Sequence, residues 1–302
     1  MRGAAAASLL LCASCSRAAT PQQQAPEIVR IWPGQPPGTE SWAGAEEEAD
    51  ADLPNIGKVH IITNVTVPTL TVFRPKAGQA SGTAMIVVPG GAFRALPWDL
   101  DGLETAHWLT AHGITAFVLK YRVRPPSAAP ADRTFDDFVR RTEPARKIAV
   151  ADAEQAVRLV RSHAKQYGIA PRRIGMIGFS AGAMTTMDAA LDPDASSRPD
   201  FAASLYGALL TQKAPPADAP PLFIAAAEDD PELSPEKSTE IFDAWTKARR
   251  PAELHIYEHG GHGFGFRVHH TTSDQWPVAF KAWLSSHGFL GPAKDQRGAG
   301  SM

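Results

Sequence analysis

The chain has 302 residues, with 30 basic and 32 acidic side chains and a formal net charge of −2. A chain this long buries about three-quarters of its unfolded surface on folding, so it needs no disulfide or metal staple. Balanced charge without a basic stripe argues against nucleic acid or an anionic membrane surface as partner. No apolar run reaches the length of a membrane span.

In chain order, residues 1–19 read as a signal peptide. Arg2 supplies positive charge, residues 4–13 a short apolar core, and Ser16, Arg17, Ala18 and Ala19 a small-residue cleavage region. The protein is therefore expected to be exported, to the periplasm or beyond. Both cysteines, Cys12 and Cys15, fall in this leader, so their C-x-x-C spacing is read as neither redox nor metal chemistry. Cys15, after Ala13 and Ser14, also stands where a bacterial lipoprotein would carry its lipid. Residues 20–51, rich in Pro, Gly, Gln and Glu, read as an irregular N-terminal segment. One folded domain is placed at 52–290, and residues 291–302, small and polar, read as a disordered tail.

Within the domain, runs 58–67 and 69–73, parted by Pro68, suggest an antiparallel edge hairpin. Residues 83–88 and 114–121 are continuous apolar strands, and 103–112 is a helix stopped by Gly113. Residues 123–145 are rich in Pro and Arg without clean periodicity. A helix over 149–166 follows, then strands at 174–179, 201–206, 222–227 and 253–257, with helices at 235–247 and 273–287. Strands alternating with helices predict a mostly parallel sheet covered on both faces. Ligands in such sheets bind at the carboxyl ends of the strands.

The chemistry concentrates there. Gly178-Phe179-Ser180-Ala181-Gly182, between an apolar strand and an alanine-rich helix, has the form of a nucleophile elbow. The glycines fit because Ser180 must sit at a strained backbone angle, and a Cβ two residues either side would clash. A serine hydroxyl needs a base. His262, in a glycine-rich loop after the last strand, is the candidate, with His259 its rival; His269 and His270 are read as ordinary surface or core histidines. The imidazole needs an acid, and Glu228-Asp229-Asp230-Pro231 follows a strand directly. Asp230 is preferred for its Asp-Pro turn, with Asp229 as runner-up. The turn Val88-Pro89-Gly90-Gly91-Ala92-Phe93 offers oxyanion donors, the N–H of Gly91 or Ala92 joined by that of Ala181. Trp98, Asp99 and the 123–145 segment are candidates to line the substrate side of the pocket. No cofactor or metal is expected.

The motifs Pro89-Gly90-Gly91-Ala92-Phe93, Leu119-Lys120-Tyr121-Arg122, Gly178-Phe179-Ser180-Ala181-Gly182 and Gly260-Gly261-His262-Gly263-Phe264-Gly265 resemble those of secreted bacterial α/β-hydrolase esterases. These are of the acetylxylan esterase and xylanase-associated type. The resemblance spans roughly residues 58–290. It implies an α/β-hydrolase fold, a Ser180–His262–Asp230 triad and a small ester or acylated oligosaccharide as substrate. Ala92 stands where a third glycine is common, which leaves the oxyanion donor open between Gly91 and Ala92. Rival expectations are a serine peptidase of prolyl-oligopeptidase type, which here lacks a preceding propeller-sized domain, and a non-catalytic binding module, which would not need Ser180 and His262. A dienelactone-type hydrolase is set aside because its usual nucleophile is cysteine and this domain has none.

Overall fold

The computed structural model describes residues 26–54, 56–124, 132, 134–211 and 213–292. The expected signal peptide at 1–19, with Cys15, and the tail from 293 on lie outside the described residues.

The main sheet has eight strands: β1 (Glu27–Arg30), β4 (Thr69–Phe73), β5 (Ala84–Val88), β7 (Thr115–Lys120), β8 (Ile174–Phe179), β9 (Phe201–Leu205), β10 (Leu222–Ala227) and β11 (Ala252–Tyr257). Their spatial order is β1-β4-β7-β5-β8-β9-β10-β11. The first two pairings are antiparallel and the rest parallel. The central strands are buried on both faces, and each strand deals its side chains alternately to two cores. In β5, Ile86 and Val88 join one core while Met85 and Val87 join the other. Helices α1 (Glu104–Ala111) and α5 (Trp276–Ser286) cover the second face through Leu109, Phe280 and Trp283. Helices α2 (Phe135–Ser162) and α3 (Ala181–Ala190) cover the first, with Ala153, Val157 and Met184. Helix α4 (Glu236–Lys247) packs Ile241 and Trp245 beside α3. This is the α/β-hydrolase arrangement expected from the sequence.

Three expectations are corrected. The runs around 58–67 and 69–73 form no hairpin. Instead β3 (Gly57–Thr63) lies in a separate antiparallel sheet between β2 (Glu47–Leu53) and β6 (Ala95–Pro97), while β4 joins the main sheet. Pro68 thus marks a change of sheet.

Nor is the 20–51 segment irregular throughout. β1 pairs with β4, and Arg122 holds the residues that follow: its guanidinium donates to the Pro37 carbonyl at 2.7 Å and the Thr39 hydroxyl at 2.9 Å. Asp152 answers Arg122 at 2.8 Å and also accepts from the Trp32 indole at 2.7 Å. Both charged side chains are fully buried. Such a pair persists only when its hydrogen bonds are satisfied, and here the N-terminal segment supplies part of that satisfaction.

Helix α2 begins at Phe135, well before the expected 149. Thr134 and Asp137 cap it reciprocally, each side chain accepting the other's backbone N–H at 3.1 Å. Pro144 sits inside this helix and breaks its sequence periodicity without ending it.

Candidate active site

β8 ends at Phe179 and α3 begins at Ala181, leaving Ser180 alone at the corner with φ 50° and ψ −117°. The glycines explain how the chain affords so sharp a turn. A Cβ on Gly178 would lie 2.1 Å from the Gly182 carbonyl oxygen, and one on Gly182 would lie 2.0 Å from that of Val88. The Ser180 N–H donates to the Leu205 carbonyl at 3.0 Å, which ties the corner to β9.

His262 follows β11 on a loop in which Gly261 and Gly263 both have positive φ. Its Nε2 lies 2.9 Å from Ser180 Oγ and its Nδ1 2.8 Å from Asp230 Oδ2. Asp230, after β10, has a fully buried side chain, and its Oδ1 accepts the N–H groups of Glu232 at 2.8 Å and Leu233 at 3.0 Å. Burial disfavours a charged imidazole at His262. The hydrogen bond and charge of Asp230, then the charges of Glu232 and Asp101, outweigh it and raise the His262 pKa above its ordinary value.

Three residues distant in sequence therefore meet in one line. The runners-up do other work. Asp229 accepts the N–H of Gly260 at 2.9 Å and of Gly261 at 2.7 Å, fixing the loop that carries His262. His259 lies exposed against Asp229 at 3.3 Å. His269 faces the Phe264 carbonyl through Nε2 at 2.9 Å, and His270 is exposed.

The turn after β5 comes up beside Ser180. A Cβ on Gly90 would lie 3.2 Å from the Ser180 Cβ. Gly91, Ala92 and Phe93 all take positive φ, so the backbone coils tightly here, and Ala92 adopts that conformation despite its Cβ. The N–H groups of Gly91, Ala92 and Ala181 have no hydrogen-bond partner among the described residues.

A cavity of about 890 Å³ opens over Ser180 and His262. Leu53 and Ile61 of the small sheet, with Pro54 just after β2, form an apolar wall, and Arg94 and Glu232 are among the polar lining. Trp98, expected to line the pocket, does not: it packs between the two cores at the start of a π-helical turn, Trp98–Leu103. Asp99 instead accepts the His60 N–H at 2.8 Å. No described residue of 123–145 lines this cavity, because α2 occupies much of that segment. Among the described residues no cluster of His, Cys, Asp or Glu has the arrangement of a metal site.

Among the cavity-wall residues that sequence reasoning missed, Asp101 and Tyr206 stand out. Both are nearly inaccessible, at 3% and 2% exposure. Burial pushes the Asp101 carboxyl up to about 7, against the Gly90 hydrogen bond and the His262 charge. The Tyr206 ring lies edge-on to His262, with centroids 5.0 Å apart. Neither residue belongs to a recognisable motif; Tyr206 had only its position at the end of an expected strand to mark it.

Residues 99–293, well over half of the chain, match the dienelactone hydrolase family. The chain belongs to the dienelactone hydrolase family. The dienelactone-type reading, set aside for want of a cysteine, is thereby corrected at the level of the family: in this dienelactone hydrolase family member Ser180 stands at the elbow. It is 30% identical over 240 residues to an acetylxylan esterase of Xylanibacter ruminicola, covering 68% of this chain and 46% of that one. It is 24% identical over 217 residues to an endo-1,4-beta-xylanase B of Butyrivibrio fibrisolvens, covering 59% and 32%. The chain thus spans less than half the length of these curated relatives. Among solved structures it is similar to an acetyl ester-xyloside bifunctional hydrolase from Caldicellulosiruptor lactoaceticus. That match has a TM-score of 0.66 at 25% identity over 88% of this chain and 97% of the other. Esterase 2 of Thermogutta terrifontis, bound to propionate, shares the fold with a TM-score of 0.58 at 21% identity, over 82% and 96%.

Proposed function

We propose that this protein is an exported serine esterase that removes short acyl groups, chiefly acetyl, from plant polysaccharide. The observation that carries the reading is the continuous line from Ser180 Oγ through His262 to the buried Asp230 carboxylate. His262 takes the Ser180 proton as Oγ attacks the ester carbonyl, forming a tetrahedral oxyanion. The unpartnered N–H of Ala181, with that of Gly91 or Ala92, receives this oxyanion, each donor contributing about 10²–10³ in rate. The raised pKa of His262 suits the next step, in which the imidazolium gives its proton to the departing sugar oxygen. Water, activated by the same imidazole, then releases the acid from Ser180.

The xylan-directed names of the relatives, and a cavity with an apolar wall beside the serine, support a small acyl group on a bulky alcohol. The domain reading proposed with it is a signal peptide at 1–19 and a hydrolase domain through 290, with β1 and the 32–39 stretch as part of it. The test is acetate release from acetylated xylan, pectin and chitin oligomers measured side by side. Preferential release from xylan supports the substrate reading, and preference for chitin or equal rates on all three contradicts it.

A further inference from the structure

Asp101 is a buried carboxyl beside the nucleophile that the mechanism above does not use. It lies on the π-helical turn Trp98–Leu103, and its Oδ2 accepts the Gly90 N–H at 2.8 Å. Gly90 is also held from its carbonyl side, because the Tyr121 hydroxyl donates to the oxygens of Pro89 at 2.9 Å and Gly90 at 3.0 Å. A Cβ on Gly90 would touch both neighbours, 3.1 Å from Asp101 Oδ2 and 3.2 Å from the Ser180 Cβ. The turn bearing the free Gly91 and Ala92 N–H groups is thus pinned at its first glycine, directly against the serine.

The second oxygen of the carboxyl is more telling. Among the described residues Asp101 Oδ1 is buried with no hydrogen-bond partner, and so is the Tyr206 hydroxyl. One is an acceptor, the other a donor. Burial, then the Asp101 charge, raises the Tyr206 phenol well above its ordinary pKa against the opposing effect of the Gly265 N–H, and the Asp101 carboxyl is near enough to act on the hydroxyl directly. A small closure of the site would join them, and catalytic hydrogen bonds commonly tighten when substrate binds. Tyr206 also supports the His262 ring edge-on.

We propose that Asp101 is a positioning residue whose carboxylate ties the oxyanion turn, through the Gly90 N–H, to Tyr206 and so to the ring that supports His262. The inference rests on the esterase reading. It assigns the working form to the ionised carboxylate, which can accept from Gly90 and Tyr206 together.

The surroundings fit. On its own side of the chain Asp101 faces Asp99 and Glu104, and Arg267 engages both, at 3.2 Å and 2.9 Å. From other elements it faces His262, Tyr206 and Tyr121. The carboxyl is raised to about 7, so its working form is lost as pH falls through that value. His262 must be neutral to act as base, and its pKa is raised too. Both requirements fail on the acid side, which predicts an acid limb steeper than a single protonation gives.

The test compares wild type, Asp101→Asn and Tyr206→Phe on nitrophenyl acetate across the neutral range, with thermal melts to measure the folded fraction. Asp101→Asn is expected to lower kcat about 10- to 100-fold, with KM within about twofold, since misplacement of a catalytic group acts mainly on the chemical step. Its acid limb should lose one proton's steepness and move to lower pH, because the negative charge that raises His262 is gone. Tyr206→Phe keeps the ring and removes the donor to the charged carboxylate, so its limb should move to higher pH. Should Asp101→Asn not fold, the Tyr206→Phe limb decides: an unmoved limb overturns the inference. So does a folded Asp101→Asn with wild-type kcat and limb. A wild-type protein that turns over no ester at all would instead sink the esterase reading, and this inference with it.

Discussion

Replacing Asp230 by asparagine tests the triad at its most specific point. The Asp230 Oδ1 accepts two backbone N–H groups, from Glu232 at 2.8 Å and Leu233 at 3.0 Å. An asparagine at this position keeps those bonds only with its oxygen there, which turns its NH₂ toward His262 Nδ1, now 2.8 Å from a carboxylate oxygen. Two donors cannot face each other, so Nδ1 gives up its proton and Nε2 carries it instead. That proton then faces Ser180 Oγ, and the imidazole can no longer accept from the serine. A wrong tautomer of this kind costs about 10⁴-fold in kcat, about 5 kcal/mol of barrier. Asp229→Asn is the matched control. Its Oδ1 can still accept from Gly260 and Gly261, and only the exposed contact to His259 weakens, so kcat should stay within about fivefold. The assay is steady-state hydrolysis of nitrophenyl acetate, corrected for folded protein by near-ultraviolet circular dichroism. The reasoning fails if Asp230→Asn keeps more than about a tenth of wild-type kcat, or if Asp229→Asn falls as far.

Three further expectations follow from the same geometry. Because the His262 pKa is raised and its neutral form is the base, kcat/KM should fall with falling pH through a midpoint above the ordinary histidine value. Glu232 contributes to that rise from 3.7 Å, so Glu232→Gln should move the midpoint down, and a pH profile showing an upward move contradicts the electrostatic account. Gly182→Ala would set a Cβ 2.0 Å from the Val88 oxygen, so backbone must shift; urea melts should show a loss of at least about 2 kcal/mol. Unchanged stability and activity in that variant would contradict the tight-corner description.

How much of this could be read from the chain alone depends on whether a residue answers to a local rule. Ser180 does, because its sharp turn carries glycine at 178 and 182, a spacing visible in the sequence itself. His262 and Asp230 do as well, since each follows a strand in a fold where strand ends converge. Asp101 answers to none. An aspartate between Leu100 and Gly102 reads as a solvated turn residue, and only the packing of the π-helical turn against β3, β5 and their neighbours buries it. The strand Glu27–Arg30 was hidden for a related reason. Its two apolar residues, Ile28 and Val29, flanked by Glu27 and Arg30, are too short a run to stand out, and the strand forms because β4 presents an open edge to it. Helix α2 shows the opposite failure. Pro144 is a strong local signal against a helix interior, yet the capping box at Thr134 and Asp137 and the packing of the following turns override it. Trp98 lies only a few residues past the turn after β5, but the fold packs its ring between two cores rather than against the cavity.

The central claim is that Ser180 is the nucleophile. An organophosphonate probe, followed by proteolysis and mass spectrometry, measures this directly. The account predicts one covalent addition, on the peptide carrying Ser180, and none in Ser180→Ala. Labelling of another residue, or labelling that persists in Ser180→Ala, would contradict it.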